Sequence, residues 1–216
     1  MIEADLHIHS RHSFDSLLSP RTIIKTALKK GLSAIAVADH NTVKGALETI
    51  REAASTRLLV IPAIEVETNA GHILGLFVEN DFKTREIDEV IDEIRNQGGI
   101  TVLLHPARIR GSRTKKVVDK VDVIEALNGR TCHSGNLKAK DLALRFNKPM
   151  IAGSDAHLRF EIGCVRTIVE CDPSTLEDVK KHIINGKRVL VGRESFCFVH
   201  VFSFGIQIFK YALRRI

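Results

Sequence analysis

The sequence predicts an α/β fold built on a parallel sheet, and three observations carry that expectation. Short apolar runs rich in Val and Ile alternate with segments of helical periodicity along nearly the whole chain. The helical segments carry their own start and stop signals. The chain has 216 residues, enough for one sizeable domain with a real core and too few for two large ones. Strands separated by helices of this length form βαβ units. The pattern leaves an open doubly wound sheet and a barrel equally available.

Candidate strands are Ile2–Ile8, Ala34–Ala38, Leu58–Ile61, Ile73–Val78, Ile100–Leu104, Val121–Ala126, Met150–Ala152, Cys164–Val169 and Val189–Val191. Candidate helices are Pro20–Lys30, Val43–Ala54, Arg85–Gln97, Ser134–Phe146 and Ser174–Asn185. Ser19-Pro20 reads as an N-cap followed by Pro at the first helical position, with Gly31 as the stop. Gln97-Gly98-Gly99 closes a second helix before a buried strand, and Pro173-Ser174-Thr175 opens the last. Residues 1–194 are thus expected to form the main domain. The remainder, 195–216, is an apolar and basic segment: Phe196–Phe209 holds five of the ten phenylalanines. It is expected to pack on the domain, or to mediate homo-oligomer or membrane-surface contact through Phe196–Ile216.

The net charge of +6 is unevenly placed, because six basic residues and one acid follow Gly186 and leave the rest at +1. A basic tail of this kind argues against a nucleic-acid groove running through the domain. Trp is absent and Tyr occurs once, which argues against a base-stacking platform. The four cysteines lack metal or disulfide spacing and read as free thiols in a reducing compartment. With a strand pattern beginning at Ile2 and no stretch long enough to span a bilayer, a cytoplasmic location is expected.

The chemistry gathers at strand ends. The first strand reads Asp5-Leu6-His7-Ile8-His9, and period-two geometry predicts Asp5, His7 and His9 on one face. Later candidate strands lead to Asp39-His40, Glu65-Val66-Glu67, His105-Pro106, Asn128-Gly129-Arg130 and Ser154-Asp155-Ala156-His157, and Glu125 lies within one of them. In parallel sheets, ligands collect outside the carboxyl ends of strands, so these groups should meet in space. Neutral imidazole with nearby carboxylates is a natural metal-binding set.

These residues bring the chain to a resemblance. His7-x-His9, Asp15, Asp39-His40, Glu65, His72, His105-Pro106 and Ser154-Asp155-x-His157 resemble the ordered motifs of the PHP (polymerase and histidinol phosphatase) family over roughly residues 2–192. The resemblance implies a distorted (β/α)7 barrel with two or three divalent ions at the C-terminal ends of the strands. It implies one ion on His7, His9, Glu65 and Asp155, and a second sharing Glu65 and adding His72 and His105. A third would take Asp15, His40 and His157. A nitrogen and oxygen set without thiolate suits manganese, iron or zinc. Asp5 and Asp39 fit partners of ligands better than ligands themselves, and His12 a loop or substrate residue. His133, His182 and His200 read as ordinary surface or packing histidines.

The implied activity is that of a metal-dependent phosphoesterase acting on a nucleotide, a short oligonucleotide or a small phosphorylated metabolite. A hydroxide held between two ions near Glu65 would attack, and His157 or Asp155 would supply the leaving-group proton. Arg130 is the first candidate for holding the substrate phosphate and Arg108 the second. The alternatives are another metal-dependent barrel hydrolase, such as an amidohydrolase or TatD-like nuclease, and a catalytically silent metal-binding interaction module.

Overall fold

Alternation along each strand decides which side chains enter the barrel. In β3 (Leu59–Thr68) Ile61 and Ala63 join the same buried cluster as Ala34, Ala36 and Ala38 of β2 (Ala34–His40), while Ile64 and Val66 pack outward. The inner rows therefore run from small or apolar residues at the strand starts to Glu65 and His40 at the strand ends. Val123 leads in the same way to Glu125 in β6 (Val123–Asn128), and Ile151 to Gly153 in β7 (Met150–Gly153). Alanines on the inner row let neighbouring strands curl tightly, and the outer faces are covered by helices.

The computed structural model describes residues 1–108, 113–170, 175–195 and 198–213. Among them, nine strands form one sheet in the order β7-β6-β5-β4-β3-β2-β1-β8-β9. The remaining strands are β1 (Ile2–Ile8), β4 (Gly71–Leu76), β5 (Ile100–Leu103), β8 (Val165–Val169) and β9 (Arg188–Gly192). The helices are α1 (Pro20–Lys29), α2 (Lys44–Ala53), α3 (Ile87–Asn96), α4 (Arg113–Lys120), α5 (His133–Arg145), α6 (Leu176–Asn185) and α7 (Phe198–Leu213), with a 3-10 turn at Pro106–Arg108. The sheet closes on itself where His9 N donates to Ala156 O at 2.9 Å, making a distorted (β/α)7 barrel. β8 and β9 extend it from the first half of β1.

Three differences from the sequence expectation have physical causes. The sheet is mixed, because β3 and β4 form a hairpin across Asn69-Ala70 and β4 runs antiparallel to both neighbours. Strand β3 also runs straight through Pro62. Leu59 N faces β2, bonding Ser33 O at 3.0 Å, so Pro62 turns its missing donor to the other side. There the β4 ladder reaches only as far as Ala63–Leu76. Finally, β1 does not alternate strictly: its register against β2 shifts between Asp5 and Ile8. Ile2, Ala4 and Leu6 share the inner core, so Asp5 faces Ser154 and Gly163, away from His7 and His9.

The expected start signals of α1 and α6 are in place. Ser19 caps α1 by accepting from Thr22 N at 3.2 Å, and Thr175 caps α6 through Asp178 N at 3.2 Å. Pro173 and Ser174 lie outside the described residues. The closing segment forms α7, which lies against the barrel mouth. Ser203 Oγ is 2.7 Å from Arg130 Nη2, and Lys210 Nζ donates to the carbonyls of Arg11 at 2.7 Å and Ser13 at 2.6 Å. Among the described residues no helix is long and apolar enough to cross a membrane. Cys132 and Cys164 are free thiols, while Cys171 and Cys197 fall outside the described residues.

Candidate metal centre

The irregularity in β1 turns two imidazoles toward one point. His7 Nε2 and His9 Nε2 are 3.1 Å apart, each 3.1 Å from Glu65 Oε2, and Asp155 Oδ1 lies 3.9 and 3.4 Å from them. The other Glu65 oxygen, Oε1, faces His72 Nδ1 at 2.5 Å and His105 Nε2 at 3.5 Å. Beside this pair, Asp15 Oδ2 lies 2.8 Å from His157 Nε2 and 3.6 Å from His40 Nε2. Eight of the nine residues expected at metal positions fall in three adjoining groups of potential ligands among the described residues, and Asp155 lies beside the first of them. His9 also reaches the third group, with Asp15, His40 and His157.

The tautomers follow from the hydrogen bonds. Ser13 Oγ has one proton and gives it to Asp39 Oδ1 at 2.7 Å, so it accepts from His9 Nδ1 at 2.9 Å. His7 Nδ1 lies 2.9 Å from the carboxylate of Glu125, which accepts. His157 Nδ1 lies 2.8 Å from Asp155 O, a carbonyl that can only accept. In its neutral form each of the three rings would therefore present an Nε2 lone pair inward, against carboxylate oxygens. Such an arrangement repels itself unless a proton or a cation sits at its centre.

The titration behaviour says the same. Burial alone would lower His7 and His9, yet Asp155, Glu125 and Glu65 hold His7 well above its usual value, and Asp155 and Glu65 raise His9 to about 9. Burial would raise Glu65 and Asp155, but the surrounding imidazoles hold both well below the carboxylate range. In the third group burial leaves His157 lowered, hence neutral. Asp15 Oδ1, His40 Nδ1 and His157 Nε2 are buried without a hydrogen-bond partner. Buried polar atoms are ordinarily satisfied, so these orphans, with a donor set of imidazole and carboxylate, fit divalent cations.

The supporting residues were only partly visible in sequence. Asp39 accepts from the amides and hydroxyls of both Ser10 and Ser13, and so holds His9 through Ser13. Asp5 accepts from Ser154 N at 2.9 Å, Ser154 Oγ at 2.6 Å and Gly163 N at 2.7 Å, clamping β1 to the loop after β7. Glu125 holds His7 through one oxygen and His105 N and Asn128 Nδ2, each at 3.0 Å, through the other. Glu161 drew no notice in the sequence, lying on no strand end. Fully buried, it accepts from His157 N at 3.0 Å and Leu158 N at 2.8 Å. Asp155 and His105 take left-handed backbone angles, φ 55° and 26°, a strain common where chemistry fixes a side chain.

Other expectations change. Arg130 is buried, and its Nε and Nη2 are bound to Glu161 at 2.8 and 3.0 Å, so the fork proposed for a phosphate is already engaged by a carboxylate. It joins the His157 loop to α7. Arg108 is less engaged, with Nη2 3.5 Å from Asp155 Oδ2 and its side chain 43% exposed. His200, expected to be ordinary, lines the cavity over the metal groups. His12 instead pairs with Glu48 at 2.7 Å. The cavity has a volume of about 310 Å³, and α7 closes one side of it with His200, Ser203, Phe204 and Gln207.

A barrel whose strand ends gather imidazoles and carboxylates around Glu65 defines a candidate metal-binding barrel. Residues 5–147 match the PHP domain family and residues 133–187 a PHP-associated region, and the chain belongs to the PHP family. An uncharacterized protein of Methanocaldococcus jannaschii is 37% identical over 116 residues, covering 49% of this chain and 68% of that protein. A 5'-3' exoribonuclease of Haemophilus influenzae is 36% identical over 76 residues, covering 33% of this chain and 27% of that one. Among solved structures, the fold is similar to a two-domain protein of Bacteroides vulgatus containing a predicted PHP-like metal-dependent phosphoesterase. The TM-score is 0.77 at 19% identity, covering 94% of this chain and 69% of that one.

Proposed function

We propose that the protein hydrolyses a phosphate ester on a small substrate: a nucleotide, the end of a short oligonucleotide or a phosphorylated metabolite. The observation that carries this reading is Glu65, whose two oxygens face two different donor groups while a third group adjoins them. Divalent ions in such a cluster neutralise phosphate oxygens and lower the pKa of water. His7, His9, Glu65 and Asp155 would hold one, Glu65, His72 and His105 a second, and Asp15, His40 and His157 a third, drawn from manganese, iron or zinc. Arg108, on the cavity wall beside Asp155, is assigned to the non-reacting phosphate oxygens.

His157 presents a lone pair inward and Asp155 is ionised, so neither offers the leaving group a proton in this arrangement. Both are assigned to holding cations. The cavity volume of about 310 Å³ suits one phosphorylated unit better than a threaded polymer. The exoribonuclease named above supports a nucleotide end as one such unit. The test is elemental analysis of the purified chain, followed by a panel of phosphomonoesters, cyclic phosphates and short oligonucleotides with added manganese. Metal near two or three equivalents and turnover of at least one class are expected. A protein that binds no manganese, iron or zinc when all are supplied would overturn the reading.

A further inference from the structure

Helix α7 is amphipathic in the direction opposite to that expected of a surface helix. Val199 and Ser203 are buried and Ile206 and Lys210 half-buried, so the i, i+4, i+7, i+11 stripe faces the barrel. The rest of the helix carries Val201, Phe202, Phe204, Ile208, Phe209 and Leu213, each more than half exposed, with Phe204 at the cavity edge and Leu213 beside the buried stripe. At 3.6 residues per turn this apolar arc covers about 180° of the helix circumference. It contains no charged residue: Lys210, the helix's one lysine or arginine, lies on the barrel side, bonded to the Arg11 and Ser13 carbonyls. Water does not tolerate a contiguous face of this kind, which marks an interaction surface.

The charges beside it select the occupant. From Ser195 to Ile216 the sequence has no acid and three cations, Lys210, Arg214 and Arg215. Arg21 and Lys25, exposed on α1, share a surface depression with Arg11, to whose carbonyl the end of α7 is pinned. Arg11 is paired with Glu48, and Glu52 lies at the same depression, so the rim is only partly neutralised. Two copies meeting through α7 would bring two acid-free cationic segments together. A bilayer with anionic headgroups supplies both the apolar phase and the missing negative charge. We infer that the outer face of α7 seats in the interfacial region of an anionic lipid bilayer, with the barrel held at the surface.

The 216-residue chain supplies its own reporter, because its single tyrosine, Tyr211, lies on the exposed side of α7 and it has no tryptophan. In flotation with phosphatidylcholine vesicles, with and without phosphatidylglycerol, the chain should rise only with the anionic vesicles and less at high salt. Brominated lipids in those vesicles should quench the tyrosine emission. Phe202→Ser with Phe209→Ser, both exposed and off the cavity, should weaken flotation at least about tenfold while metal content is kept. Should that variant fail to fold, the tyrosine quenching of the unaltered chain still decides. Absence of flotation and quenching with the anionic vesicles would overturn the inference, as would equal binding to both vesicle types. So would a dimer in solution that persists with vesicles and is lost in the variant, which would make a second copy the occupant.

Discussion

The two sides of the metal centre are built differently. On the strand side, His7, His9 and Glu65 sit on or directly beyond β1 and β3, fully buried, each imidazole fixed by a carboxylate directly or through a hydroxyl. On the loop side, His105, Asp155 and His157 follow β5 and β7, two of them in left-handed backbone conformations. Their loops are held by Glu125, Glu161 and the buried Arg130 ion pair. Sheet hydrogen bonding sets the first side, and a few buried ion and hydrogen-bond contacts set the second. The strand side should therefore fail locally when altered, and the loop side should fail by losing its shape.

The sharpest break is at the shared carboxylate. Glu65→Gln leaves the ring's shape but removes the charge facing both ion positions, so bound metal should fall by elemental analysis and turnover by roughly 10²–10³. The same variant with undiminished metal would remove Glu65 from the bridge. On the loop side, Arg130→Ala leaves Glu161 buried and unpaired, which should cost about 3–5 kcal/mol by denaturant titration. The sequence alone points to Arg130 as a phosphate ligand. A raised Michaelis constant with unchanged stability would restore that role.

A smaller effect is expected from Ser13→Ala, which cuts the chain from Asp39 to His9 but spares the ligand. Metal affinity measured by competition should weaken about 10–100-fold with the fold intact. Arg108→Ala should lower kcat/KM about tenfold, consistent with the net worth of a charged hydrogen bond, without loss of metal.

The weakest effect, and the one that sharpens the contrast most, is in pH. His9 is raised from 6.5 to about 9 in the folded chain, so its proton stabilises the metal-free fold fully below pH 6.5 and that contribution is lost as pH rises through about 9. His7 is shifted in the same direction. Glu65 and Asp155 have lowered values, so their contribution is lost at the other end, as pH falls. Thermal melts of chelator-treated protein should show Tm declining toward pH 9, with metal-loaded protein much flatter. Metal loading near neutral pH should release protons, detectable by calorimetry in buffers of different ionisation enthalpy. A flat metal-free profile across that window would show that His9 carries no extra proton.

Much of this cluster was readable from sequence because histidines and carboxylates are chemically conspicuous where strands end. His7, His9, His40, Glu65, His105, Asp155 and His157 stand directly after Val- and Ile-rich or small apolar runs, and alternation places most of them inward. Asp5 was misplaced because a register shift leaves no mark in composition. Glu161 escaped because its importance comes from contacts with residues 31 positions back and four positions back, neither on a strand pattern. Gly153 escaped for a similar reason: a Cβ there would lie 2.3 Å from His7 Cβ, a constraint visible only when β7 meets β1. Helix α7 was legible as apolar and basic, but not as a helix with its apolar side outward.

The reversal of β4 gives the turn at Asn69-Ala70 an unusual standing. His72 reaches the rim at the beginning of its strand, directly opposite Glu67, only because two residues separate Thr68 from Gly71 in the ladder. Surface turns commonly accept an extra residue, and homologous chains vary most in length there. Here one added residue would shift β4 by a step, which in a sheet carries each side chain to the opposite face and would bring Ile73 or Gly71 to the position of a ligand. The count of residues in this turn is therefore as binding as the identity of the histidine it delivers.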